Sequence, residues 1–229
     1  MKTVLARRDL FRAGLAASML AVAPTIVLAK SKTSGDKAAA NGGARIDYND
    51  VQVLFADLQV SLVAGSKTVS PEALGRSAAA LAKVATVLKL PMLFSVVPER
   101  KGEPVLIPEL LPYATQANTL KRTLTGPFMD KATVSALASN GRKTLIVAGF
   151  AAEVVVLQTV LDAVGAGYKV QYVTDAIGGL SERTEATALH QAELAGGVPT
   201  SVVSLTTRMA PDIFHSPGSE AFSAIVPLL

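Results

Sequence analysis

Cysteine is absent from the 229 residues, which excludes disulfides, thiolate metal sites and a cysteine nucleophile. Tryptophan is absent as well, and aromatic residues make up only 5% of the chain. Platforms that bind sugars or single-stranded nucleic acid by stacking therefore have little to build on. Histidine is nearly missing: His190 and His215 are the two in the chain, and each reads as a surface or packing residue. No metal and no other cofactor is expected. Charge is sparse, at 17%, and the net value of +4 is concentrated at one end. Lys2, Arg7, Arg8 and Arg12 against Asp9 carry about three of those charges, so the rest of the chain is close to neutral and no nucleic-acid partner is expected. What remains is apolar. Half of the residues are hydrophobic, enough at this length to bury a sizeable core and too many for a disordered chain.

The opening segment reads as an address. Arg7-Arg8-Asp9-Leu10-Phe11-Arg12 is a twin-arginine pattern, an apolar run follows over residues 13–28, and Val27-Leu28-Ala29 offers the small residues a signal peptidase reads. Pro24 interrupts the run, which suits a cleaved signal better than a permanent span. Residues 1–29 are thus expected to direct export to the periplasm and to leave no stable membrane span. Residues 30–46, rich in Ser, Lys, Gly and Ala, read as a flexible linker. Residues 47–229 read as one domain.

Within that domain short apolar runs alternate with helical patterns. Strands are expected at 51–56, 91–97, 117–123, 145–148, 169–174 and 198–205. Helices are expected at 72–88 behind Pro71, at 130–140 with Asp130 as cap and Asn140-Gly141 as stop, at 152–166 and at 181–195. The tail from Pro211 is expected on the surface or against a neighbouring subunit. Alternation of this kind gives a single-domain, three-layer α/β/α fold with a mostly parallel, doubly wound sheet of about six strands. Ligands of such sheets sit beyond the carboxyl ends of the strands. That directs attention to Asp57, at the exit of the first strand, where desolvation can tune a carboxyl. Lys121, near the end of the third, can stabilise negative charge. Leu145 to Leu157 reads as a strand, a tight turn at Gly149 and the start of a helix.

These stretches together resemble the isochorismatase-like cysteine hydrolases, a superfamily that includes N-carbamoylsarcosine amidase and nicotinamidase. Val53-Leu-Phe-Ala-Asp57-Leu-Gln59 is similar to the family's first-strand motif, Asp-x-Gln after an apolar run. Lys121-Arg-Thr-Leu-Thr-Gly-Pro-Phe128 is similar to its basic residue followed by a small residue and an aromatic, a spacing that fits either Lys121 or Arg122. Gly149-Phe-Ala-Ala152-Glu-Val-Val155 is similar to its nucleophile turn, with Val155 where the cysteine stands and Ala152 where a Thr is usual. The resemblance implies Asp57 as general acid or base, Lys121 as its basic partner, and Gln59, Phe128, Ala152 and Val155 around the substrate. It implies a cis peptide bond, placed here between Ala151 and Ala152, that helps form an oxyanion hole. It implies that Asp175 orders its turn, and that the protein assembles as a homo-oligomer. The metal-binding histidines of nicotinamidases have no counterpart in Val96-Val-Pro-Glu-Arg-Lys-Gly102. Two functions remain open. One is a small-molecule hydrolase without a cysteine, in which Asp57 protonates the substrate and Lys121 binds a substrate carboxylate. The other is an exported pseudoenzyme that keeps the pocket for binding or assembly.

Overall fold

Buried backbone must find its hydrogen-bond partners within the chain, and here the apolar runs supply them to one another. The structure, a computed structural model, describes residues 45–100 and 102–229. Strand β1 (Val51–Ala56) leads through a single helical turn, α1 (Val60–Val63), to helix α2 (Pro71–Val87) and strand β2 (Met92–Val96). Strand β3 (Thr119–Lys121), helix α3 (Lys131–Ser139), strand β4 (Thr144–Phe150) and helix α4 (Leu157–Gly165) follow. The chain closes with strand β5 (Lys169–Gly178), helix α5 (Glu182–Leu194), strand β6 (Val198–Thr200) and helices α6 (Val202–Met209) and α7 (Gly218–Ile225). All six strands form one sheet in the order β3-β2-β1-β4-β5-β6, and every neighbouring pair is parallel.

Side chains alternate across a strand, and both faces of this sheet are buried. Val53 and Phe55 pack with Leu74 and Leu81 of α2 and with α6 and α7, while Leu54 and Ala56 pack with Leu137 of α3, Val160 of α4 and Ala192 of α5. Phe55 and Phe94, opposite one another in register, stack with ring centroids 5.1 Å apart. Gln52, the polar residue inside β1, is fully buried and satisfied: its amide nitrogen donates to the carbonyls of Leu137 and Arg142 and its oxygen accepts from Asn140. Helix starts follow the expected chemistry. Ser70 accepts from the Ala73 N–H ahead of Pro71, and Asp130 from the Thr133 N–H.

Three expectations change. The run 198–205 is not one strand. Its first residues form β6, and the rest is α6, because the Ser201 hydroxyl takes the Ser204 N–H and the Asp175 carboxylate takes the Val202 N–H at 3.0 Å. Val202, Leu205 and Met209 then form the buried face of that helix, a spacing a short apolar run does not distinguish from a strand. Strand β5 continues past Thr174 to Gly178, across an irregularity opposite Val147 to Gly149. The tail does not simply cover the surface: α7 buries Ala221, Ala224 and Ile225 in the core beside α2. Residues 1–29, the expected export signal, and residues 30–44 of the linker lie outside the described residues. Among the described residues no helix is long and apolar enough to cross a membrane.

The order of the strands positions the site. From β1 the chain moves outward to β2 and β3, then returns to lay β4 on the other side of β1. The crevice beyond the ends of β1 and β4 is therefore the topological switch point of the sheet. Gly149 lets the two strands close there, since a Cβ on it would lie 2.5 Å from the Ala56 carbonyl oxygen.

Candidate active site

Asp57 follows the last residue of β1 and leaves the sheet in a left-handed conformation, with φ of 57°, which Asp tolerates better than most residues. Its own N–H donates to the Ser95 carbonyl of β2 at 2.8 Å, and its carbonyl accepts from the Gln59 N–H at 2.8 Å. The backbone thus fixes where the carboxyl lies. Arg122 reaches it from the residue after β3: Nη2 donates to Asp57 Oδ2 at 2.7 Å and to the Thr125 carbonyl at 3.1 Å. The side chains are 0% and 9% exposed for Arg122 and Asp57 respectively, so this is a buried ion pair. Burial pushes the Asp57 carboxyl up to about 7, against the opposing pull of the Arg122 guanidinium. Three polar atoms of the pair, Asp57 Oδ1 and Arg122 Nε and Nη1, have no partner.

A cavity of about 340 Å³ opens over this pair, within the range of small-molecule sites. Asp57 lines it, as do Thr123 and Thr125 from the loop after β3. Leu62, Val97, Leu124, Phe150, Val154 and Leu180 make it apolar. Leu124, Val154 and Leu180 stay exposed despite their character. Solvent-facing apolar side chains gathered around one concavity mark a binding site more than a surface accident.

The β4 turn forms the opposite wall. The peptide bond between Phe150 and Ala151 is cis, one residue earlier than expected. A wide helical turn over Ala152–Val156 then runs into α4. The N–H groups that begin such a turn have no intrahelical acceptor. Glu153 anchors the turn from behind. Its Oε1 accepts from the Leu180 N–H at 2.9 Å and from the Thr184 hydroxyl at 2.5 Å. Burial acts to raise this carboxyl, and those hydrogen bonds together hold it below its ordinary value.

The residues singled out from the sequence divide sharply. Asp57 stands where expected. Lys121 does not pair with it: neighbouring positions at a strand end point to opposite sides, and Lys121 projects outward to bond Glu103 on the surface while Arg122 turns inward. Gln59 is fully buried but committed to the fold, its oxygen accepting from the Val97 N–H at 2.8 Å and its nitrogen donating to the Val97 carbonyl at 3.0 Å. It borders the cleft next door, with Glu99 and Arg100, rather than the cavity over Asp57. Phe128 packs edge-on against Tyr168, ring centroids 5.7 Å apart, on the far core. Ala152 and Val155 are buried in that same core and do not line the cavity. Thr159, the hydroxyl closest in sequence to Val155, donates to the Val155 carbonyl at 2.6 Å. Asp175 lies inside β5 rather than at its end, and its carboxylate accepts from the Val202 N–H at the start of α6 instead of ordering its own turn. His190 lies on α5, and His215 pairs with Asp212 on the surface. Glu153, Thr125 and Leu180 were not anticipated. A Glu two residues into a turn and an isolated Leu after Gly-Gly carry no signal until the fold brings them together.

Known proteins share the fold that carries this site. The model of the isochorismatase domain matches residues 51–204. The probable hydrolase YcaC of Escherichia coli is 30% identical over 158 residues, spanning 66% of this chain and 74% of that protein. The structure of Escherichia coli YcaC, described as an octameric hydrolase of unknown specificity, superposes with a TM-score of 0.73 at 28% identity, covering 81% of this chain and 92% of the other. YcaC from Pseudomonas aeruginosa, solved with hexane-2,5-diol and covalent acrylamide, gives 0.74 at 28% identity, covering 80% and 93%. The domain match over most of the described chain and the 30% identity to a curated hydrolase show that this chain belongs to the isochorismatase family.

Proposed function

We propose that this protein hydrolyses a small molecule by direct attack of water, with Asp57 as the acid and base and no covalent nucleophile. One observation carries the reading: a carboxyl held up to about 7 lines an apolar cavity while paired to a buried Arg122. Such a group populates both protonation states near neutrality, the condition for efficient proton transfer. Protonated Asp57 gives its proton to the leaving atom of the substrate. Water attacks the carbon so activated, and its proton returns to the Asp57 carboxylate, which Arg122 steadies in the interval. The net change is one water added across the bond. Arg122, rather than Lys121, takes the charge-stabilising role. A chain without cysteine has no route through a thioester.

A second reading, an exported binding or assembly protein, draws on Ala152 and Val155, which place no reactive atom at the cavity. Turnover of small amides, carbamoyl compounds and isochorismate by the purified protein separates the two. Turnover lost in Asp57→Ala supports the hydrolase. No turnover of any of them, with saturable binding of one in calorimetric titration, supports the binding protein. Export through the twin-arginine route to the periplasm belongs to the proposal, and Arg7→Lys with Arg8→Lys should hold the protein inside the cell on fractionation. So does a homo-oligomer, in line with octameric YcaC, which light scattering would measure.

A further inference from the structure

The cavity over Asp57 offers a ligand a single strongly polar group. Asp57 is 6% exposed, and one of its oxygens, Oδ1, is buried without a partner beside the cavity. The remaining walls are aliphatic or aromatic apart from Thr123 and Thr125. Among the described residues no cation lines the cavity. Arg122 does not line the cavity: its Nη2 is bonded to Asp57 and the Thr125 carbonyl, and its Nε and Nη1 are buried beneath the wall. Lys121 is paired with Glu103 on the surface. Arg100 borders the adjoining cleft, alongside Glu99. A carboxylate or phosphate entering here would lose its water against Leu62, Phe150 and Val154 and meet the Asp57 carboxyl with no positive partner, an arrangement that desolvation forbids. A neutral ligand keeps what the walls offer and loses nothing.

We infer that the cavity takes an uncharged small molecule with an apolar body and one hydrogen-bonding group, which Asp57 meets through Oδ1. This rests on the reading of Asp57 as the working group of the site, and it departs from a substrate carboxylate held by Lys121. The hydrogen-bonding group is then the part of the substrate that Asp57 protonates, and the apolar rim of Leu124, Val154 and Leu180 covers the rest.

The test is calorimetric titration of the full chain with benzamide, benzyl alcohol and benzoate, three probes of similar shape, at about pH 6 and about pH 8.5, on either side of the Asp57 titration, so that neither the Asp57 charge nor the Arg122 charge alone sets the order. Benzamide or benzyl alcohol should bind at least about tenfold more tightly than benzoate, the factor expected when a charged group is buried without a partner. Val154→Lys, which sets a cation in the wall, should narrow or invert that preference, and Val154→Leu should leave it. Benzoate binding as tightly as the neutral probes overturns the inference, as does the lack of saturable binding by either neutral probe. The same titrations on Asp57→Asn keep this result distinct from the catalytic reading. A neutral preference that persists while turnover is unchanged overturns the catalytic role alone. Equal binding of benzoate, with turnover lost in Asp57→Asn, overturns this inference alone.

Discussion

Arg122 Nη2 lies 2.7 Å from Asp57 Oδ2, tying the end of β3 to the end of β1 across the intervening β2. Removing one partner of a buried ion pair leaves the other desolvated, either charged or forced to take up a proton. Arg122→Ala should therefore destabilise the protein by about 3–5 kcal/mol. Lys121→Ala removes only a surface contact with Glu103, its side chain 59% exposed, and should cost no more than about 1 kcal/mol. Urea denaturation of the two variants side by side reads the contrast. Equal losses would contradict the assignment of Arg122 as the buried partner.

The Asp57 carboxyl should also write itself into the pH dependence of stability. Unfolded, it releases its proton near the ordinary value of 3.8, and folded at about 7. Between those values the native state holds the extra proton, so stability falls as pH rises. The contribution is complete below the unfolded value and is lost as pH climbs through about 7. Asp57→Asn has no proton to release. The stability of the wild type relative to Asp57→Asn should decline from about pH 4 to 7 and level off above. Thermal melts across that range check the slope, and a difference that does not vary with pH would contradict a raised carboxyl.

Gly149 tests the geometry of the crevice. Adding a methyl group there sets a carbon 2.5 Å from the Ala56 carbonyl oxygen, a backbone atom that cannot swing aside. Gly149→Ala should cost about 1–3 kcal/mol as β1 and β4 separate at their ends. Turnover should fall with it, because Asp57 and the β4 turn sit on those two strands. Chemical denaturation and initial rates on one preparation measure both effects.

The sheet and the position of Asp57 at the end of β1 were legible because they rest on local pattern. β1 and β4 are nearly unbroken apolar runs, and Asp57 and Gly149 fall where such runs stop. What could not be read required neighbours. The choice between Lys121 and Arg122 depends on which side of a three-residue strand faces β1, and sequence spacing fits both. Residues 202–209 are apolar at positions that serve a strand or a helix equally, and the Asp175 carboxylate, 27 residues earlier, decides for the helix. Gln59 carries a polar head that suits a ligand, yet the loop after β2 claims it on both sides. Glu153 and Leu180 enter the site through a contact between the β4 turn and the segment leading to α5, which no motif announces.

The measurement that bears most directly on Asp57 as the acid is the pH dependence of kcat/KM for whichever substrate of the panel is turned over. An acid that must be protonated gives a rate that falls above its own pKa, so the descending limb should be centred at about 7. Arg122→Gln removes the charge that pulls this carboxyl down and should move the limb to higher pH, while Asp57→Asn should lower the rate by about 10²–10⁴-fold. A profile level from about pH 5 to 9, or a rate undiminished in Asp57→Asn, would contradict the account.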